Sequence, residues 1–181
     1  MSLPPFDKYF YYNLSVQSAD SDVEFFDRVY KELRSGKKAQ SLREDFCGAF
    51  DICCEWVKLD SDKRAYGVDF DSEPLEYGKR SYIPRLSEPQ KQRVELVKGD
   101  VLETPLKSVD ITCAVNFSYF IFKERKVLKE YFQRVYNSLN ENGVFVMDCF
   151  GGSQCQESNE EETEYEDEKF SYFWDQDSFD P

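Results

Sequence analysis

Residues 41–50 read SLREDFCGAF, a stretch in which a strand is predicted to turn directly into a helix. Its first part predicts a short strand over Ser41–Cys47 that ends at Gly48. An amphipathic helix is predicted directly after it, because apolar residues follow at the spacing i, i+3, i+4, i+7, namely Phe50, Cys53, Cys54 and Val57. A strand that turns at once into a helix exposes backbone N–H groups at the helix N-terminus, where an anionic ligand group can bind.

Outward from this stretch, strands and helices alternate. Further strands are predicted over Arg64–Phe70, Arg93–Lys98, Val109–Val115 and Val144–Phe150, the last two being nearly continuous apolar runs of the kind buried on both faces of a sheet. Helical periodicity occupies residues 21–36, 74–82 and 128–139. Strand and helix in alternation with short loops predict an α/β fold with an open, doubly wound, mostly parallel sheet of five strands.

The two ends of the chain depart from this pattern. Residues 1–19 are predicted to be an aromatic N-terminal lead-in, and residues 20–181 a single domain. Within that domain the acidic stretch 156–168 is predicted to be a loop, and Phe170–Trp174 an aromatic strand. A single strand at an edge leaves hydrogen-bonding groups unpaired. We therefore expect the last strand of the sheet to be missing, with the chain truncated at its C-terminus.

Composition excludes several classes of function. The net charge is -13, and eight acidic residues between Glu157 and Glu168 leave about -5 for the rest, so we expect no binding to nucleic acid or to anionic membranes. The sequence contains no His, which excludes imidazole catalysis and His-ligated zinc. The six cysteines show no CxxC spacing, so we expect no metal site, and most of them lie in apolar segments, which favours a reducing, cytoplasmic location.

Candidate site residues follow from the predicted strand ends, because ligands of open α/β sheets bind outside the carboxyl ends of the strands. The first strand ends near Glu44 and Asp45. Asp69 lies 25 residues after Glu44, close to the offset at which an acid binds ribose hydroxyls in nucleotide-binding folds. Asp100 ends the third strand, and its carboxylate is placed to accept from an adenine amino group.

The order of these segments resembles that of class I S-adenosylmethionine-dependent methyltransferases over roughly residues 10–181. Residues 44–50 (EDFCGAF) take the place of the family's glycine-rich motif, and residues 116–119 (NFSY) that of its motif after the fourth strand. Together with Gly151-Gly152-Ser153 they are similar to a poorly characterised bacterial-type branch. The resemblance implies S-adenosyl-L-methionine as cofactor, bound by Glu44, Asp45, Phe46, Cys47, Gly48, Asp69, Phe70, Asp100, Val101 and Asn116. It places Tyr119, Asp148 and Asn116 nearest to the acceptor.

Each of these residues also has a purely structural interpretation. Glu44 and Asp45 could end a solvated strand, Asp69 could cap a helix, and Asp100 could form an ordinary turn. Cys47 is interpreted as a packed turn residue rather than a nucleophile. Phe117 and Tyr119 could pack into the core, and Asp148 could pair with a neighbouring cation. Tyr11, Tyr12 and Gln17 could close over a cofactor or brace the N-terminus.

The resemblance implies methyl transfer from S-adenosylmethionine to a small-molecule acceptor. Two positions depart from the family pattern, since Phe46 and Phe50 stand where glycines are expected and only Gly48 is left to permit a turn with positive φ. A non-catalytic binding module with this fold is the first alternative. A nicotinamide-dependent oxidoreductase is the second, and the absence of a GxGxxG pattern counts against it. The sequence does not indicate the oligomeric state.

Overall fold

The computed structural model describes residues 6–167 and 169–178. Residues 1–5, Glu168 and residues 179–181, which belong to the predicted lead-in, acidic loop and domain end, lie outside the described residues. The chain divides into two compact units, Met1–Asp148 and Cys149–Pro181.

The first unit holds five strands and six α-helices among its described residues. In chain order these are α1 (Lys8–Ser15), α2 (Ala19–Leu33), β1 (Ser41–Asp45), α3 (Asp51–Leu59), β2 (Arg64–Asp69), α4 (Ser72–Ser81), α5 (Glu88–Lys91), β3 (Val94–Lys98), β4 (Val109–Ala114), α6 (Arg125–Ser138) and β5 (Leu139–Met147). The strands form one parallel sheet in the order β3-β2-β1-β4-β5. The predicted open, doubly wound α/β fold is confirmed.

The core lies on both faces of this sheet, because its central strands are buried on both sides. On one face Leu42 and Ile111 pack against α2 and α3, whose buried residues include Phe26 and Trp56. On the other face Val68 and Ala114 pack against α6 through Tyr131 and Val135. Alternation along each strand therefore sends neighbouring residues to different helical layers.

Several predicted elements and boundaries differ from the structure. Residues 1–19 were predicted to be an aromatic lead-in without regular structure of their own, but residues 8–15 form α1, whose N-cap Asp7 accepts from the N–H groups of Tyr9 and Phe10. The helix predicted over residues 128–139 ends at Ser138, and the strand predicted over Val144–Phe150 runs from Leu139 to Met147 instead. Asn142 has a left-handed φ of 69° within β5, and the pairing of β5 with β4 shifts register there.

The second unit contains an antiparallel hairpin of β6 (Asn159–Tyr165) and β7 (Phe170–Gln176). The prediction of a loop over 156–168 is therefore wrong, since most of that acidic stretch is a strand. The predicted aromatic strand is confirmed and extends to Gln176. Its partner is the acidic strand before it, and the two form a separate two-stranded sheet.

Candidate functional site

A cavity of about 370 Å³ opens at the carboxyl ends of β1 and β4. These two strands are neighbours at the point where the strand order changes direction, which is where open α/β sheets bind ligands. The volume lies within the range of small-molecule and cofactor sites. Five of the residues predicted from sequence line it: Glu44, Phe46, Cys47, Gly48 and Asn116.

The β1–α3 turn forms the floor of the cavity, and three of its residues have left-handed backbone conformations. Phe46, Gly48 and Phe50 all have left-handed φ values, of 61°, 51° and 54°. Such a conformation costs a residue other than glycine about 1–2 kcal/mol. Phe50 is fully buried and Phe46 packs against the rings of Phe122 and Tyr131, and burying a phenyl ring returns about 1.5–3 kcal/mol. The expectation that only Gly48 adopts a positive φ is therefore wrong.

Neighbouring elements hold this turn in place. Asp69, at the end of β2, accepts a hydrogen bond from the N–H of Gly48 at 2.7 Å. The N–H of Cys47 donates to the carbonyl of Val68 at 3.0 Å. Helix α4 packs so closely that a Cβ at Gly78 would collide with the carbonyl oxygen of Ala49. The turn is thus fixed from β2 and from α4.

Glu44 lies at the inner end of the cavity and is only 2% exposed. Its Oε2 accepts from the N–H of Cys53 at 3.2 Å and from the Cys53 thiol at 3.1 Å. Burial raises the pKa of Glu44 to about 8, and the charges of Asp51 and Asp69 act in the same direction. The carboxyl is therefore protonated near neutral pH and sits where a cationic ligand group would favour its ionisation.

Asp45 points to the opposite face of the sheet and does not line the cavity. Its carboxylate accepts from Arg43 at 2.8 Å and from the Tyr131 hydroxyl at 3.0 Å, and Arg43 also donates to Ser138 at 2.6 Å. This buried network ties β1 to α6. The structure therefore does not place the Asp45 side chain where it could contact a cofactor, and gives it a structural role instead.

Cys47 lines the cavity from the floor turn, and its side chain is buried. Burial raises the pKa of the Cys47 thiol well above its ordinary value, and the nearby charge of Glu44 adds to this. A thiol that remains neutral is a poor nucleophile, which agrees with its interpretation as a packed turn residue.

Asp69 and Phe70 end β2 beside the floor turn. Besides Gly48, Asp69 accepts from the N–H of Asp71 through its second oxygen at 2.8 Å. The cap of α4 is Asp71, whose side chain accepts from the N–H of Glu73, so Asp69 does not cap that helix. The ring of Phe70 is 68% exposed.

Asp100 and Val101 follow β3. One oxygen of Asp100 accepts from the N–H of Leu102 at 2.8 Å, which is ordinary turn chemistry, and the residue is exposed. The Val101 side chain is buried in the core, and its carbonyl accepts from Arg134 at 3.1 Å. Neither residue lines the cavity.

The segment after β4 brings Asn116 to the cavity wall together with Val115 and Ser118. Tyr119 is buried, and its hydroxyl donates to the carbonyl of Asp148 at 3.0 Å. The Asp148 carboxylate accepts from the N–H groups of Asn116 and Phe117. Of the three residues predicted nearest to the acceptor, the structure places Asn116 at the cavity and Tyr119 and Asp148 behind it.

Helix α1 and the residue Gln17 after it form a further wall, where Tyr12 and Gln17 take the position of the alternative in which they close over a cofactor, while Tyr9 and Asn13 were not predicted. Tyr9, Tyr12, Asn13 and Gln17 line the cavity. Asn13 donates to Asp51 at 3.0 Å and contacts the Tyr82 hydroxyl. Tyr9, Tyr12 and Asn13 follow the spacing i, i+3, i+4, so helical periodicity was the signal that could have located this wall.

A more open hollow of about 640 Å³ lies in the second unit between Phe150 and Gln176. Gly151, Gly152 and Ser153 line it, and none of the residues predicted to bind the cofactor or the acceptor does. Across the described part of the chain, no group of three or more Cys, Asp or Glu residues is placed to hold a metal ion. No helix within residues 6–167 and 169–178 is long and apolar enough to cross a membrane.

Comparison with known proteins adds evidence on the fold. No protein-family model matches the sequence, and comparison with curated protein sequences finds no match. Solved structures do match. The glycopeptide N-methyltransferase MtfA, in complex with S-adenosyl-L-methionine, is 15% identical with a TM-score of 0.61, and the match covers 87% of this chain and 66% of that one.

Two further structures give similar values. CalS10, an amino pentose methyltransferase from Micromonospora echinaspora bound to S-adenosylmethionine, is 14% identical, with a TM-score of 0.69 and coverage of 91% and 66%. An S-adenosylmethionine-dependent methyltransferase from Clostridium acetobutylicum is 18% identical, with a TM-score of 0.68 and coverage of 96% and 68%. The chain spans about two thirds of the length of each of these three structures. It has the fold of the class I S-adenosylmethionine-dependent methyltransferases.

Proposed function

We propose that this protein binds S-adenosylmethionine in the cavity at the ends of β1 and β4 and transfers its methyl group to a small-molecule acceptor. The observation that carries the proposal is the left-handed β1–α3 turn, which forms the floor of a cofactor-sized cavity at the switch point of the sheet. The structural neighbours support it, because MtfA and CalS10 are methyltransferases of a glycopeptide and an amino pentose.

The residues present fit this cofactor. A Cβ built at Gly48 would meet no atom within 4 Å, so the floor turn leaves open space where a ligand can approach the backbone. Each carboxylate oxygen of Asp69 accepts one backbone hydrogen bond and has a further lone pair that can accept from a ribose hydroxyl. Asp69, Phe70, Asp100 and Val101 do not line the cavity, so we assign them to the part of the cofactor that extends beyond it past the ends of β2 and β3. We assign the exposed ring of Phe70 to the face of the adenine, and Asp100 with the backbone of Val101 to its edge. Glu44 faces the cationic end.

Methyl transfer from this cofactor requires few chemical groups of the protein. The cofactor supplies a methyl group already activated as a sulfonium, so the protein has to align the acceptor and exclude water. Asn116 is the residue of the post-β4 segment whose amide we assign to the acceptor. Tyr9 and Tyr12 close the opposite wall and exclude water.

The test is thermal unfolding and calorimetry with S-adenosylmethionine and S-adenosylhomocysteine, with NAD and ATP as comparison ligands. At a hundred times its dissociation constant a ligand adds about 2.7 kcal/mol, which raises the melting temperature of a domain of this size by about 5–10 °C. We expect this rise with the two adenosyl ligands only. A rise with NAD alone would favour the oxidoreductase.

A pair of glycine variants locates the site. Gly48→Val fills the cavity floor and is expected to abolish the shift. Gly36→Val is the matched control, because Gly36 also has a positive φ with no atom within 4 Å of a built Cβ, but follows α2 away from the cavity. A cooperative melt without any ligand shift in the parent protein would favour the non-catalytic module.

A further inference from the structure

The segment that follows β4 is held in an unfavourable backbone conformation. Asn116 and Phe117 have consecutive left-handed φ values of 56° and 55°, and neither is glycine. Residues with a Cβ avoid this region for steric reasons, and two in succession persist only where surrounding groups hold them. The turn brings the Asn116 side chain to the cavity wall.

The group that holds the turn is Asp148, immediately after β5. Its Oδ2 accepts from the N–H of Asn116 at 2.6 Å, and its Oδ1 accepts from the N–H of Phe117 at 2.8 Å. Successive N–H groups in such a turn form a concavity that binds an anion, and here the anion is a side chain of the protein itself. The Tyr119 hydroxyl donates to the Asp148 carbonyl and fixes the same residue from the other side of the turn.

We propose that Asp148 is a positioning residue that holds Asn116 and Phe117 in their left-handed conformation and thereby places Asn116 at the cavity, rather than a residue that takes a proton from the acceptor. Both of its carboxylate oxygens face backbone donors, and it does not line the cavity. This inference rests on the proposed function, since the cavity is taken to be the methyl-transfer site.

The test is a set of substitutions at positions 148 and 117, measured by calorimetry with S-adenosylhomocysteine. In Asp148→Asn the amide nitrogen faces one of the two N–H groups, donor against donor, so one charged hydrogen bond is lost. We expect binding at least about tenfold weaker. Phe117→Gly removes the steric cost of the turn, because glycine adopts positive φ freely. The double variant D148N/F117G is expected to bind within about threefold of the parent.

Two controls separate positioning from general loss of structure. D148N/F117A also lacks the ring and its contact with Phe120, but alanine keeps the steric cost, so this variant should bind as weakly as D148N. Asp110→Asn is the matched carboxylate control. At the opposite end of the same sheet, Asp110 accepts from the N–H groups of Gln40 and Ser41 through Oδ2 and from the Asn140 amide through Oδ1. Removing its charge and the acceptor for Asn140 should lower stability and leave binding unchanged.

Parental binding by D148N, equal rescue by glycine and alanine, or no rescue by glycine would each overturn the proposal. If the parent protein does not bind S-adenosylhomocysteine, the proposed function fails first. Urea unfolding of the same variants then decides the inference. If D148N loses stability and Phe117→Gly offsets that loss, the inference that Asp148 holds the turn is supported. If the effects of the two substitutions on stability are additive, the inference is overturned.

Discussion

Glu44 and Asp45 are adjacent in the sequence, yet their side chains lie on opposite faces of β1 and contact different elements. Glu44 faces the cavity and helix α3, where its carboxyl accepts from Cys53. Asp45 faces α6, where Arg43 and Tyr131 compensate its burial. Both were predicted to contact the cofactor because the end of β1 is evident from the sequence. The alternation that separates them depends on which face carries the cavity, and only the fold defines that face.

At the residue scale we predict that Glu44 makes stability fall as pH rises. The pKa of Glu44 is about 8 in the folded protein against an ordinary 4.5, so between these values the folded chain holds a proton that the unfolded chain has lost. Stability therefore decreases with pH across this window and levels off above it. As pH rises from 6.5 to 8, the free energy of unfolding of Glu44→Gln should increase relative to that of the parent by up to about 1.4 kcal/mol per pH unit. Urea unfolding at each pH measures this difference.

Asp51→Asn is the matched control for this prediction. Burial raises the pKa of Asp51 to about 6, with the charge of Glu55 acting in the same direction, so its contribution ends near that pH. Below pH 6 the free energy of unfolding of Asp51→Asn should increase relative to that of the parent as pH rises. Above pH 6.5 the two free energies should change with pH in parallel. An E44Q protein whose stability also parallels the parent from pH 6.5 to 8 would contradict the assignment to Glu44.

At the scale of elements, the floor turn shows what sequence can predict of a loop. The strand–turn–helix order and the position of Gly48 were evident from SLREDFCGAF. The left-handed conformation of Phe46 and Phe50 was not, because local propensity opposes it. It is stabilised by packing against Tyr131, which lies 85 residues after Phe46, so the compensating contact was invisible in the local sequence.

Helix α1 is attached to the first unit by polar and aromatic contacts, and none of its residues is buried. Asn13 donates to Asp51, Lys8 pairs with Glu73 at 2.6 Å, and the rings of Tyr9 and Tyr77 lie 4.5 Å apart. A helix of eight residues is not stable alone in water, so these contacts determine how often it opens. The helix therefore serves as a brace in the free protein and as a wall of the cavity.

We predict that Asn13→Ala increases the opening of α1. The variant loses the hydrogen bond to Asp51, and backbone amides of residues 8–15 should exchange with deuterium about tenfold faster. Amides of β1 and β4 should exchange as in the parent. S-adenosylhomocysteine should slow exchange of α1 in the parent more than in the variant. Leu14→Ala is the control, because Leu14 is exposed and does not line the cavity; equal exchange in N13A, L14A and the parent would refute the prediction.

The hairpin of β6 and β7 was not predicted because only β7 has the aromatic residues typical of a strand. β6 is acidic and exposed along most of its length, which resembles a solvated loop. Its cross-strand partners are aromatic, with Glu162 opposite Phe173 and Thr163 opposite Tyr172, and the rings of Tyr165 and Phe170 stack at 4.6 Å. Such pairs stabilise a sheet, but they are apparent only once the register is known.

For the whole molecule, the five-stranded sheet was predictable because strands and helices alternate along most of the chain, the turns between β3 and β4 excepted, and right-handed crossovers limit the possible topologies. The candidate site followed from the rule that ligands bind at the strand ends, which located Gly48 and Asn116 at the cavity. The rule gave no information on which side chains face the cavity. Asp45, Tyr119 and Asp148 are near the correct edge but engage other parts of the protein.

The charge of the whole molecule leads to the last prediction. S-Adenosylmethionine carries one more positive charge than S-adenosylhomocysteine, and the protein carries -13, with Glu44 at the cavity. The field of the protein should attract the cationic ligand, and salt should screen this attraction. We expect the dissociation constant of S-adenosylmethionine to rise several-fold between about 0.02 M and about 0.3 M salt, and that of S-adenosylhomocysteine to rise less.

Calorimetry at four salt concentrations measures both slopes, and E44Q is compared with the parent at pH 8.5, where Glu44 is largely ionised. Parallel slopes for the two ligands would show that the acidic charge lies too far from the cavity to distinguish them, whereas a difference that shrinks in E44Q would assign part of it to that carboxylate.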